Sequence, residues 1–109
     1  MEIRRGEIWL INPGYTIGHE MRKVRPALIV QNDTGNKYGA VTVVVPITTA
    51  DREKVYPFEV TITLKKPSRI QCNHIRSIDK LRLIKKIGTA DTATMMEVNE
   101  ALKIVLDIL

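Results

Sequence analysis

Most of the chain is written in short apolar runs punctuated by turn-forming residues, the pattern of β-strands, and only its end changes period. GEIWLI (6–11) is β-branched and aromatic and runs into Asn12-Pro13-Gly14, so it predicts a strand ending in a turn. RPALIVQ (25–31) is apolar almost without interruption, which predicts a strand buried on both faces. The turn formers Asn32-Asp33-Thr34-Gly35-Asn36 then reverse the chain into AVTVVVPIT (40–48), a Val-rich strand. Pro46 cannot donate a ladder hydrogen bond, so that strand is expected to bend at its end or to lie at a sheet edge. In FEVTITL (58–64), Phe58, Val60, Ile62 and Leu64 alternate onto one side, the pattern of a half-buried strand. RIQCN (69–73), IRSID (75–79) and LRLIKKI (81–87) predict shorter extended segments, with a turn over Lys65 to Pro67.

Met95, Val98, Leu102, Val105 and Leu109 recur at steps of three and four, one stripe of an α-helix, whose start is equally plausible at Asp91, Thr92 or Thr94. Ile104, Ile108 and Ala101 widen that apolar surface beyond a single seam, which leaves part of it for a second subunit. The stretches from Asn12 to Val24 and from Thr49 to Tyr56 lack an apolar period and read as exposed loops, the usual carriers of function. The sum is a mainly β protein with a C-terminal α-helix: a strongly curved sheet or small barrel of about five to seven strands. At 109 residues with 44% hydrophobic positions, it is expected to form one domain over 1–109.

Charge adds a class of partner. The chain carries +5 overall, and its basic residues concentrate in 65–86, where Lys65, Lys66, Arg69, Arg76, Lys80, Arg82, Lys85 and Lys86 face only Asp79. That segment is the candidate for a polyanion. The lone Cys72 excludes an intrachain disulfide, and no run approaches the ~20 apolar residues of a membrane span, so a cytoplasmic protein is expected.

Several chemistries are not supported. His19, Cys72 and His74 are the only soft metal ligands; Cys72 and His74 would share one face of a strand, but two ligands do not make a zinc site, so no metal and no cofactor is expected. Glycine-rich phosphate loops are absent, and neither Ser68 nor Ser77 sits in a nucleophile elbow. What remains is a phosphate-binding pair: Arg25 begins a buried strand, Thr48 ends another, and a guanidinium fork with a hydroxyl suits a phosphodiester. Each also has a bland reading, as a solvated surface residue and a β-branched filler.

RRGEIWLINPG, GHE, VRPALIVQND, VVVPITT, IRSIDKLRL and the closing MMEVNEALKIVLDIL together resemble the MazF/PemK family of toxin endoribonucleases, in order and spacing across essentially the whole chain. The resemblance implies an SH3-like barrel of the CcdB/PemK type and a homodimer. It implies metal-independent cleavage of single-stranded RNA at short sequences, by attack of the 2′-OH, leaving 2′,3′-cyclic phosphate and 5′-hydroxyl ends. Arg25 and Thr48 match the family's catalytic Arg and hydroxyl residue, with His19, Arg76 and Asp79 in places assigned to catalysis or binding. His19, Glu20, Lys23, Asn32, Thr49, Arg76 and Lys80 are the residues expected to contact RNA. His19 is either a proton carrier or a contact in a substrate-gating loop, the second being favoured. An antitoxin with an acidic, disordered segment is the implied protein partner. One departure stands out: where the family usually carries Gln before IRS-type blocks, this chain has Asn73-His74-Ile75, and His74 is expected to be a partly buried strand residue. The alternatives are a noncatalytic inhibitory toxin of the same fold, like the CcdB gyrase poisons, and a plain RNA-binding barrel.

Overall fold

The structure, a computed structural model, describes residues 2–12 and 24–109. Its strands are β1 (Glu7–Ile11), β2 (Arg25–Ile29), β3 (Val41–Thr49), β4 (Glu59–Thr63), β5 (Pro67–Gln71), β6 (Arg76–Asp79) and β7 (Leu83–Thr89), with helices α1 (Asp33–Tyr38) and α2 (Thr92–Leu106). The seven strands form one antiparallel sheet in the order β4-β5-β3-β2-β1-β7, and β6 adds to the other half of β3.

The continuous apolar run of β2 has the expected consequence. Leu28 packs into one core with Ile8, Val45, Ile47, Val60, Ile70 and, from α2, Val98 and Ala101. Its neighbours Ala27 and Ile29 enter a second core on the opposite face with Ile3, Trp9, Ile11, Val44, Ile78 and Leu83. Because successive strand residues point to opposite faces, a run of consecutive apolar residues serves both cores, as Ile8 and Trp9 of β1 and Val44 and Val45 of β3 also do.

Pro46 marks the point where β3 changes partners. Val41 to Val44 pair with β6, whereas Ile47 to Thr49 pair with β5, and Pro46 falls in the gap between them while still facing Ala27 of β2. A missing ladder donor is tolerated best at such a break, and the strand is central rather than at an edge.

Three local readings are corrected. The turn expected at Asn32 to Asn36 winds into α1: the Asn32 side chain accepts from Gly35 N at 2.7 Å and caps the helix. Its buried anchor is polar. Asn36 accepts from Gln31 Nε2 and Thr42 Oγ1 and donates to Gln31 O and Asp33 Oδ1, so this helix has no apolar stripe to betray it. Secondly, β5 ends at Gln71; Cys72 and Asn73 form a turn, which leaves Cys72 fully buried and His74 exposed beyond it. His74 is therefore not a partly buried strand residue, and it shares no strand face with Cys72. Thirdly, Lys80–Arg82 form a 3₁₀ turn capped by Asp79, so the last strand begins at Leu83 instead of Leu81.

In α2, Asp91 is the N-cap, accepting from Thr94 N at 2.8 Å. Val98 and Ala101 are buried with Met95, Leu102 and Val105 packed beside them, as the stripe required. Leu109 leaves that stripe because Asp107, in the left-handed conformation at φ 57°, ends the helix before it. Met96, Ile104 and Ile108 remain exposed.

Candidate active site

Arg25 and Thr48 are brought together by the pairing of β2 with β3. Ala27 pairs with Pro46, Leu28 with Val45 and Ile29 with Val44; Arg25 and Thr48 lie two residues beyond the end of that ladder and line one groove. On the other side of β3, Thr48 pairs with Arg69 of β5, which in turn pairs with Thr61 of β4. Directly opposed residues share a sheet face with Cβ atoms about 4.5–5.5 Å apart. Thr48, Arg69 and Thr61 thus make one row across the sheet, with Arg25 at the start of the neighbouring strand β2.

A groove of about 1310 Å³ opens beside this row, lined by Arg25, Thr48, Thr49, Thr61, Thr63, Lys65, Lys66, Asp91 and Thr94 among others. The hairpin between β4 and β5 supplies the lysines: Leu64 N donates to Lys66 O, closing the turn that presents Lys65 and Lys66. The hydroxyls come from strand positions where threonine is favoured anyway. Cations and hydroxyl donors therefore dominate its polar lining, the donor set of a phosphate site. The exception is Asp91, held below the usual carboxylate range by its hydrogen bonds to Thr94.

The segment after Thr49 lies outside the groove's lining and packs over β5. Arg52 forks onto Glu59, with Nη1 at 2.9 Å from Oε1 and Nη2 in closer contact with Oε2. The same carboxylate accepts from Tyr56 N at 3.1 Å and Gln71 Nε2 at 2.7 Å. The Arg52 hydrogen bonds foremost hold Glu59 at a pKa of about 2, against the desolvation that would raise it. Tyr56 stacks on Phe58, ring centroids 5.4 Å apart, with the Arg52 guanidinium 5.2 Å from the Tyr56 ring centre. Beneath this segment Arg69, only 6% exposed, donates from Nη2 to Arg52 O at 2.6 Å.

The remaining sequence candidates are not gathered here. His19, Glu20 and Lys23 lie outside the described residues. Asn32 stands at the far end of β2 from Arg25 with its side chain engaged as a helix cap. Arg76 and Asp79 sit on β6, opposite Val44 and Val41. The four positions of β3 from Val44 to Thr48 put that pairing roughly 13 Å away along the strand. Asp79 accepts from Leu81 N, and Lys80 Nζ donates to Asn36 O. None of these four residues lines the groove. Nor is 65–86 one basic face: Lys65 and Lys66 reach the groove, Arg69 is buried, and Lys86 pairs with Glu7 at 3.2 Å. Sequence reasoning had counted Arg69 as surface charge; its neighbours Ser68 and Ile70 gave the only hint of burial.

Among the described residues, no group of three or more His, Cys, Asp and Glu is arranged to hold a metal ion. Cys72 is a free thiol whose burial pushes its pKa up to about 11, which makes it a packing residue. No helix among those residues is long and apolar enough to cross a membrane.

Residues 4–106 match the family described as PemK-like, MazF-like toxin of type II toxin-antitoxin system. The chain belongs to that family. It is 39% identical to the endoribonuclease MazF of Staphylococcus epidermidis, over 95% of this chain and 91% of that one. It is 36% identical to the endoribonuclease EndoA of Bacillus subtilis, over 97% of this chain and 96% of the relative. Its fold is similar to that of a mycobacterial endoribonuclease solved in complex with its cognate antitoxin, with a TM-score of 0.83 and 27% identity over 98% of this chain and 97% of that one. The CcdB/PemK-type architecture expected from the sequence is thereby shown, as seven strands and a C-terminal helix.

Proposed function

We propose that this MazF-family endoribonuclease toxin cleaves single-stranded RNA in the groove beside Arg25 and Thr48, without a metal ion. The observation that carries the reading is the groove that both the Arg25 guanidinium and the Thr48 hydroxyl line, at the ends of two neighbouring strands. Metal-free cleavage uses the substrate's own 2′-OH as nucleophile and leaves a 2′,3′-cyclic phosphate and a 5′-hydroxyl. The protein must then align that hydroxyl with the leaving oxygen and stabilise a dianionic phosphorane. Arg25 supplies a planar cation for the developing charge, and Thr48 a donor to a non-bridging oxygen. A guanidinium is a very weak general base, so Arg25 acts as clamp or proton donor. Lys65, Lys66 and Thr49 meet flanking phosphates, which positions the strand without reading its bases.

Two partners complete the proposal. The exposed apolar residues Met96 and Ile104 of α2, with Ile108 just beyond it, suit a second copy of the chain. An antitoxin with an acidic segment, of the kind that orders on binding, would compete with RNA for the groove cations. The deciding experiment incubates the purified protein with long single-stranded RNA in excess EDTA. Cleavage to 5′-hydroxyl ends is expected; intact RNA at saturating protein would leave a noncatalytic toxin or an RNA-binding barrel.

A further inference from the structure

Thr48 is bracketed. Arg25 begins the strand on one side of it and lines the same groove, and Arg69 stands on the other side, its direct partner on β5. The two guanidinium groups live in different surroundings. Arg25 is exposed at the groove, whereas Arg69 is covered by the segment that follows Thr49.

A buried cation normally carries a counter-charge, because desolvation without one is costly. Arg69 has none. Its two recorded acceptors are neutral carbonyls, Arg52 O at 2.6 Å and Ser68 O at 3.3 Å, and its buried Nε has no hydrogen-bond partner among the described residues. Glu59, the nearest carboxylate on that face of β4, is occupied by Arg52, Gln71 and the backbone of Tyr56. Fastening the covering segment to β5 requires hydrogen bonds but not a charge, and a neutral side chain would avoid the desolvation cost.

We propose that Arg69 is a positioning residue for the reaction: a buried, uncompensated guanidinium that favours negative charge on a phosphate held at Thr48, from the side opposite Arg25. It does not touch the phosphate. Its charge acts through the protein towards Thr48's side of the groove, and burial of the guanidinium under the covering segment weakens its screening. The phosphorane carries one more negative charge than the bound diester, so a fixed cation on this row lowers the barrier more than it tightens binding. The inference rests on Thr48 holding the scissile phosphate.

The test compares Arg69→Lys and Arg69→Met with the unaltered protein in single-turnover cleavage of long single-stranded RNA, with Arg25→Ala measured alongside. Arg69→Met is expected to lower the rate constant at saturating protein about 10–100-fold while its melting temperature holds or rises, since replacing a buried charge with an apolar group of similar volume is often neutral or stabilising. Arg69→Lys keeps the charge but cannot fork to two carbonyls; it is expected to retain the rate within about five-fold despite a lower melting temperature. In a Thr48→Ala background the Arg69→Met penalty should shrink to within about three-fold, as coupled groups require. Arg69→Met cleaving at the unaltered rate overturns the inference. So does Arg69→Lys losing rate and melting temperature together, the mark of a fastening role, and that variant decides the matter even if Arg69→Met does not fold. A full rate in Arg25→Ala overturns the reading of the site itself and this inference with it; loss there but none in Arg69→Met overturns the inference alone.

Discussion

Arg52 and Glu59 form a two-pronged ion pair in which the Glu59 side chain is 1% exposed and the Arg52 side chain 40%. The asymmetry matters, because the carboxylate depends on its partners for solvation whereas the guanidinium retains water. The pair joins the segment leaving β3 to the first residue of β4 and so fixes that segment above Arg69.

Glu59→Gln should lower stability by about 1–3 kcal/mol, the range for stranding buried hydrogen-bonding partners. The pH dependence has a definite sign. The folded pKa of Glu59, about 2, lies below its ordinary value of 4.5, so its contribution is complete above about pH 4.5 and is lost as pH falls towards 2. Melting curves of the unaltered protein and Glu59→Gln should differ at pH 7 and converge below pH 4. A gap that stays constant down to pH 3 would show that the carboxylate's charge is not what stabilises the segment.

The catalytic proposal predicts unequal penalties. Arg25→Ala removes the exposed cation and should cost at least ~10²–10³-fold in single-turnover rate with EDTA present, by analogy with loss of an oxyanion donor. Thr48→Ala loses one neutral donor and should cost less. RNA binding should persist in part through Lys65 and Lys66, with an affinity that falls steeply as salt rises. Equal rates for Arg25→Ala and the unaltered protein would remove this groove from the chemistry.

How far the sequence foretold this arrangement depends on which force shaped each part. Apolar period located all seven strands and α2, because burial of Leu28, Val45 and Val98 follows directly from hydrophobicity. It could not find α1, which is held by Asn32 and the buried Asn36 through polar contacts to Gln31, Asp33 and Thr42. Arg25 and Thr48 were legible as strand-end residues. Their pairing was expected from their chemistry and the family resemblance, whereas the groove they share depends on how strands separated by α1 pack. The charge count over 65–86 misled for a related reason: strand alternation and the turn at Lys80 send its cations to different faces. Arg69 in particular was hidden under a segment that reads as an exposed loop.

The exposed apolar residues of α2, of the turn after it and of β7 predict association of two copies. Ile104 is 60% exposed, Ile108 54%, and on the edge strand Ile84 is 52% exposed. Such positions gain about 25 cal/mol for each Å² of apolar surface removed from water. Sedimentation equilibrium at micromolar protein should give twice the mass of the 109-residue chain. Ile104→Glu should shift it towards the single-chain mass with little change in far-ultraviolet circular dichroism. A sharp single-chain mass in the unaltered protein would exclude a stable homodimer.

The last prediction concerns the carboxylate in an otherwise cationic groove. Asp91 caps α2 through Thr94 N and lines the groove at the same time, and its lowered pKa keeps it charged at neutral pH. As a cap it favours the positive end of the helix dipole; as a groove residue it repels phosphate. Asparagine caps helices about as well as aspartate, so Asp91→Asn separates the two effects. The melting temperature at pH 7 should change little, the small residue being the lost interaction with the dipole. RNA should bind more tightly by about two- to ten-fold at low salt, with the gain shrinking as ionic strength screens the charge. Asp91→Ala, which abolishes the cap, should instead lower the melting temperature clearly while showing the same gain in affinity. Affinity that is unchanged in both variants at low salt would mean that the RNA path does not pass the start of α2, and would confine the substrate to the Arg25, Thr48 and Lys65 side of the groove.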